Sequence, residues 1–189
     1  MNAFASRELI LGGCRSGKSR AAETRAMDWL NHDAHEAVLI ATAQAGDDEM
    51  AERIARHRAD RLRRVPRLAT VEEPIELAGA IATHSAAHRL LVVDCLTLWL
   101  TQHAMPLRAA PASPERLEAL TAELAHAVED AKGPIVLVSN EIGLGLMPMS
   151  RETRAFVDAL GRLHQSLTQV CHRVTFMVAG CEWQVKDNA

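Results

Sequence analysis

Two glycines, a lysine and a serine constrain this chain more than any other feature. They stand in Gly12-Gly-Cys-Arg-Ser-Gly-Lys-Ser19. A short apolar run at 9–11 precedes the segment, and a helical pattern from Arg20 to Leu30 follows it. Strand, glycine loop and helix in that order form a phosphate-binding loop. Glycine permits backbone N–H groups to converge on an anion with no Cβ in the way. The helix behind directs its positive end at the same place. In this setting Gly12, Gly13, Cys14, Arg15, Ser16 and Gly17 form the cradle, Lys18 bridges the β- and γ-phosphates, and Ser19 offers a hydroxyl to magnesium. The competing reading is a glycine-rich turn that merely joins strand to helix.

The rest of the chain narrows the class. Its 189 residues suit a single nucleotide-binding catalytic domain, 1–189, with a real core. With 48% apolar and 24% charged residues the composition is that of a soluble globular protein. A formal net charge of −3 argues against a nucleic-acid partner. No apolar run approaches a membrane span, and residues 1–7 lack the apolar core of a signal peptide, so a cytoplasmic location is expected. The cysteines at 14, 95, 171 and 181 make no Cys-x-x-Cys pair and indicate neither zinc nor disulfides. Cys14 reads as a small side chain that fits the loop or as a redox-sensitive thiol.

Short apolar runs at 9–11, 38–42, 90–94, 135–139 and 174–179, with a weaker one at 68–71, alternate with helical periodicities. Such runs suit strands covered on both faces. Pro74 is expected to start one helix, with Leu77 and Ile81 along it. Ser113-Pro114-Glu115 starts another, with Leu117, Leu120, Leu124 and Val128 inward. A third runs from about Ser150 with Phe156, Leu160, Leu163, Leu167 and Val170 buried. The expected fold is therefore α/β, a P-loop NTPase-type three-layer sandwich whose mostly parallel sheet carries helices on both faces. The proline-rich stretch 106–114 reads as a surface loop.

Two further features bear on chemistry. Leu90-Leu-Val-Val-Asp94 places a carboxylate at the carboxyl edge of the sheet, suited to magnesium or its water, or alternatively to capping the next helix. Asn140-Glu141 ends the next strand similarly and reads equally as a substrate-orienting pair or a loop cap. The second feature is a histidine among arginines. Asp47-Asp48-Glu49 opens a helix that turns basic at Arg53, Arg56, His57, Arg58, Arg61, Arg63 and Arg64. Met50 and Ile54 are expected to face the core, and Glu49–Arg53 and Glu52–Arg56 to pair on the surface. A solvated, salt-bridged helix is the plain account of this segment. Clustered guanidinium groups also suit phosphate recognition and disfavour imidazolium, leaving His57 a neutral nucleophile toward phosphorus.

Taken together the chain resembles the bifunctional adenosylcobinamide kinase/adenosylcobinamide-phosphate guanylyltransferase family of cobalamin biosynthesis. The resemblance rests on the phosphate loop, Ala41-Thr42-Ala43, Asp48-Glu49-Met50, Arg53-Ile54-x-x-His57, Thr70-x-Glu72-x-Pro74, Val93-Asp94-Cys95-Leu96-Thr97, Ser139-Asn-Glu-Ile-Gly143, Arg151 and Gly161-Arg162. It implies His57 as the residue that forms a covalent GMP adduct. It implies a nucleotide site lined by the loop, Ala41, Thr42, Ala43, Arg58, Ala59, Asp60, Arg61, Glu72 and Asp94, with magnesium at Ser19 and Asp94. GTP, ATP and a corrinoid are the implied ligands, and a homotrimer the implied assembly. In this scheme a γ-phosphate first passes to the hydroxyl of the cobinamide arm. His57 then takes GMP from GTP and hands it to the cobinamide phosphate. A P-loop kinase of another small molecule, without the second reaction, is the alternative. The chain departs from the family pattern at Cys14, where alanine is usual, and at Leu68, where tryptophan is common. It also has His164 for asparagine and no proline after Gly180. The stretch between Arg61 and Thr70 is about three residues longer than usual.

Overall fold

The computed structural model describes residues 6–188, so the expectation for the first few residues lies largely outside it. Six strands run parallel: β1 (Arg7–Gly12), β2 (Glu36–Ala41), β3 (Leu68–Glu72), β4 (Arg89–Asp94), β5 (Ile135–Asn140) and β6 (Arg173–Val178). A seventh, β7 (Cys181–Asp187), returns antiparallel to β6. The strand order is β3-β2-β4-β5-β1-β6-β7. Successive strand residues point to opposite faces. Leu9, Leu91, Val93, Ile135 and Leu137 pack under α3 (Leu77–His84), α4 (Leu96–Ala104), α5 (Pro114–Glu129) and α6 (Arg151–Val170). Ile10, Leu90, Val92, Val136 and Val138 pack under α1 (Lys18–Trp29) and Val65, which follows α2 (Asp48–Arg64). The three-layer α/β sandwich is as expected.

The helix starts follow local chemistry. Ser113 accepts from Arg116 N at 3.2 Å with Pro114 in the first turn, and Ser150 accepts from Thr153 N at 3.0 Å. The helix expected from Pro74 instead begins at Leu77. The Glu73 carboxylate accepts from Ile75 N at 2.9 Å and Glu76 N at 2.8 Å, holding a turn that delays it. Two elements lie outside the expected set. One is α4, whose nine residues follow directly on a strand. The other is β7, which does carry a local signal: Cys181, Trp183 and Val185 alternate with Glu182, Gln184 and Lys186. Ala179 and Gly180 both have positive φ, 51° and 83°, as a tight hairpin turn requires.

Helix α2 differs most from expectation. Met50 and Ile54 are only half-buried, and the buried side chain of the helix is Arg61. Among the described residues Glu49–Arg53 and Glu52–Arg56 make no ion pair. The helix pairs through Arg58–Glu72, Arg63–Asp60 and Arg64–Glu23 instead. Of these acids only Glu23 is buried; Arg58–Glu72 and Arg63–Asp60 are exposed pairs, which contribute little.

A buried ion pair ties the layers together beneath the phosphate loop. Glu8 of β1 is 2% exposed and accepts from Arg25 of α1 at 3.0 and 3.2 Å and from the Thr175 hydroxyl of β6 at 2.7 Å. Arg25 also reaches Glu182 of β7 at 2.7 Å.

Candidate active site

The site is assembled at the carboxyl edge of the sheet, where the strand ends present their last residues in register. Glu72, Ala41 and Asp94 stand in one row across β3, β2 and β4, and Gly12 stands beside Asn140 across β1 and β5. The phosphate loop leaves β1 at Gly12, whose φ is 152°. A Cβ there would meet Met177 O at 2.5 Å and Ser16 Oγ at 2.8 Å, so the turn admits only glycine. Gly17, with φ 102°, precedes α1. The β6–β7 turn supports the loop from below, with Gly180 N donating to Ser16 O at 2.9 Å.

Lys18 curls over this loop. Its ammonium donates to Gly13 O at 2.6 Å and to Ser16 Oγ at 3.4 Å, which aims it across the mouth of the cradle. Burial pushes it below the usual 10.5, and the thiol of Cys95 and the carboxyl of Asp94 pull it back. The Ser19 hydroxyl hydrogen-bonds Asp94, joining the two expected magnesium-holding residues. Burial raises the Asp94 carboxyl, opposed by Ser19, Arg61 and His57. A hydroxyl and one carboxylate beside a triphosphate cradle are oxygen donors of the kind magnesium takes.

The remaining expected residues divide into those that face the site and those that build it. Thr42 is fully buried, and its hydroxyl donates to Cys95 O at 2.7 Å and accepts from Cys95 N at 2.9 Å. With Thr42 N donating to Asp94 O at 3.2 Å, this clamp fixes the end of β4. Ala41 and Ala43 flank it half-buried. Arg61 is 9% exposed, lies in the field of Asp94 and Glu23, and forms no ion pair among the described residues. Arg58 is engaged by Glu72; Asp60 pairs with Arg63, and Ala59 is exposed between them. Cys14 and Arg15 are exposed at the loop tip. His57 is exposed on α2, near enough to act on both Asp94 and Asp60. The arginine cluster is thus split. Arg64 holds Glu23 at 2.7 Å, Arg67 holds Leu30 O at 2.7 Å away from the site, and Arg61 stays buried in the field of Asp94 and Glu23.

One polar chain has no counterpart in the sequence reading. The Asn140 N–H donates to Thr97 Oγ1 at 2.8 Å. Thr97 meets Ser139 Oγ at 3.1 Å, Ser139 meets His164 Nε2 at 2.7 Å, and His164 Nδ1 faces Glu141 Oε2 at 3.6 Å. In the sequence each of these residues is only an isolated signpost or departure, and their meeting needs α4, β5 and α6 to pack. Burial pushes the His164 imidazole below its ordinary 6.5, while Glu141 pulls it up. A histidine held neutral in the fold but free to protonate when unfolded costs stability as pH falls through its unfolded value. Stability is therefore expected to decline on acidification below about pH 6.5. Urea titrations at several pH values should show a shallower decline for His164→Gln; equal slopes would refute this assignment.

Among the described residues no helix is long and apolar enough to cross a membrane. Two solved structures share the fold, each at TM-score 0.53 and 13% identity. One is an ATPase domain, which matches 92% of this chain and 69% of its own. The other is the flagellar accessory protein FlaH of Methanocaldococcus jannaschii, which matches 97% and 79%. Sequence relatives are nearer. The bifunctional adenosylcobalamin biosynthesis protein CobP of Pseudomonas aeruginosa is 46% identical over 180 residues, 95% of this chain and 97% of the relative. The Escherichia coli bifunctional adenosylcobalamin biosynthesis protein CobU is 32% identical over 186 residues, 94% and 98% of the two chains. The family model described as cobinamide kinase / cobinamide phosphate guanyltransferase matches residues 8–185. With relatives matched nearly end to end and the phosphate loop built as above, this chain belongs to the cobinamide kinase / cobinamide phosphate guanyltransferase family.

Proposed function

We propose that the protein phosphorylates the terminal hydroxyl of adenosylcobinamide with ATP or GTP and then transfers GMP from GTP to the product, giving adenosyl-GDP-cobinamide. The observation that carries this reading is the convergence of Lys18, Arg61 and His57 on the Asp94 edge of one phosphate cradle. In the first reaction the loop amides and Lys18 neutralise charge on the transferring phosphoryl group. In the second the His57 imidazole attacks the α-phosphorus of GTP; the bond to the bridging oxygen breaks, and pyrophosphate leaves with its electron pair. The phosphoramidate then loses GMP to an oxygen of cobinamide phosphate. Splitting the displacement in two lowers each barrier. Magnesium, held by Ser19 and Asp94, would screen the phosphate oxygens. Arg61 is the cation best supported for the nucleotide, because its charge is desolvated and lacks an ion-pair partner among the described residues. A homotrimer and a cytoplasmic location belong to the same proposal and rest on the family resemblance.

The test is intact-protein mass after exposure to GTP, with peptide mapping. Wild type is expected to gain the mass of GMP at His57, and His57→Ala to gain none while keeping phosphoryl transfer to cobinamide. A His57→Ala protein that still acquired GMP would remove the histidine from the mechanism. A wild type that never acquired it would leave a kinase alone.

A further inference from the structure

The sheet order places β5 between β4, which ends in Asp94, and β1, which ends in the phosphate loop. Glu141, the first residue beyond β5, donates its N–H to Gly12 O at 3.0 Å. This bond ties its main chain to the first residue of the phosphate loop, on the same sheet edge as Asp94. The side chain is 22% exposed and makes no ion pair with lysine or arginine among the described residues. Oε1 accepts from Gly143 N, and Oε2 faces His164 Nδ1 at 3.6 Å. Each carboxylate oxygen keeps a second lone pair, so the group remains able to accept a proton.

Behind Glu141 the direction of the polar chain follows the tautomer of His164. With Nε2 unprotonated, Ser139 donates to it, and Thr97 Oγ1, which receives the Asn140 N–H, donates to Ser139. That leaves the imidazole proton on Nδ1, the nitrogen facing Glu141. The arrangement brings a serine, a histidine and a glutamate into line, yet Ser139 is fully buried and has no approach for a substrate. The exposed end of the chain is the carboxylate. Among the described residues, Glu141 is the charged group that acts on His164. The wall behind the carboxylate is otherwise made of hydroxyls from α4 and β5.

We propose that Glu141 is the proton acceptor for the cobinamide hydroxyl in the phosphoryl-transfer step, and that buried His164 positions it. The hydroxyl oxygen forms its bond to the γ-phosphorus, and the bond from that phosphorus to the bridging oxygen breaks. The electron pair leaves on the nucleoside diphosphate, and the hydroxyl proton passes to the Glu141 carboxylate. His57 has no part in this step, so the two reactions would use different proton-handling groups at one cradle. The inference rests on the functional reading above and adds a base and its support to it.

Three variants test it, with phosphoryl transfer to cobinamide and GMP adduct formation measured on the same preparations. Glu141→Gln is expected to lower kcat of phosphoryl transfer by about 100-fold or more. KM for both substrates and the GMP adduct should stay at wild-type levels. His164→Leu, which removes the N–H facing Glu141, should lower kcat on the order of 10-fold with KM unchanged. His164→Gln, whose amide can accept from Ser139 and donate to Glu141, should restore most of that loss. A Glu141→Gln enzyme within about 3-fold of wild-type kcat would overturn the proposal, because general-base catalysis contributes far more than that. So would parallel loss of kinase activity and GMP adduct in the variants, which would mark a structural role. Equal activity in His164→Leu and His164→Gln would remove the positioning role. Wild type with the adduct but no phosphoryl transfer would instead defeat the kinase reading beneath the proposal.

Discussion

Replacing Lys18 by alanine is expected to reduce both phosphoryl transfer to cobinamide and self-guanylylation by about 100- to 1,000-fold. The ammonium is held across the cradle by Gly13 O and Ser16 Oγ, so in the free protein it already points where phosphate oxygens would arrive. A pre-aimed charge in a water-poor site needs no reorganisation as negative charge develops. The two reactions break different bonds of the nucleotide but would hold it by the same loop, so one substitution should damage both. Initial rates of each reaction, measured with nucleotide affinity, provide the check. A protein that lost one activity and kept the other whole would refute a shared cradle. The fold should survive, since the lysine donates only to the loop it serves.

Arg25→Ala is expected to act in the opposite way, on stability with no direct loss of chemistry. Removing it leaves the Glu8 carboxylate, 2% exposed, with the Thr175 hydroxyl as its remaining side-chain partner. Breaking a buried pair from one side costs about 3–5 kcal/mol, because the surviving charge is stranded away from water. For a chain of this size that is roughly 6–20 °C in melting temperature. The loss should be felt in β7 as well, because the same guanidinium reaches Glu182 at 2.7 Å. Adding Glu8→Gln should recover part of the deficit by removing the stranded charge. Thermal melts of the two variants decide the matter, and an unchanged midpoint in Arg25→Ala would show that the pair contributes nothing net.

The legible parts of this fold are those whose signal is local. An apolar run flanked by a glycine loop and a helical stripe specifies β1, the cradle and α1. Serine caps with their acids and prolines mark the starts of α5 and α6. An alternating pattern and a hairpin turn also mark β7, although its largely exposed residues do not form the continuous apolar run by which the inner strands are found. Helix α2 departs from its expected orientation for a physical reason. Its apolar positions are few, and its burial is decided by one arginine whose attraction comes from Asp94 and Glu23, on strand and helix elsewhere in the chain.

The functional site divides along the same line. Gly12, Gly17, Lys18 and Ser19 are readable because a phosphate cradle is built from consecutive backbone groups, and Asp94 because a buried strand ends in a lone acid. Sequence spacing alone determined the cradle, the sheet that carries it and the one histidine set among clustered arginines. Only the tertiary structure decided that Thr42 clamps β4, that Arg61 alone among the clustered arginines is buried, in the field of Asp94, and that Thr97, Ser139, His164 and Glu141 meet in one line. Those contacts join residues up to 53 positions apart. Their partners are chosen by helix packing and strand register, which no local pattern of residues records.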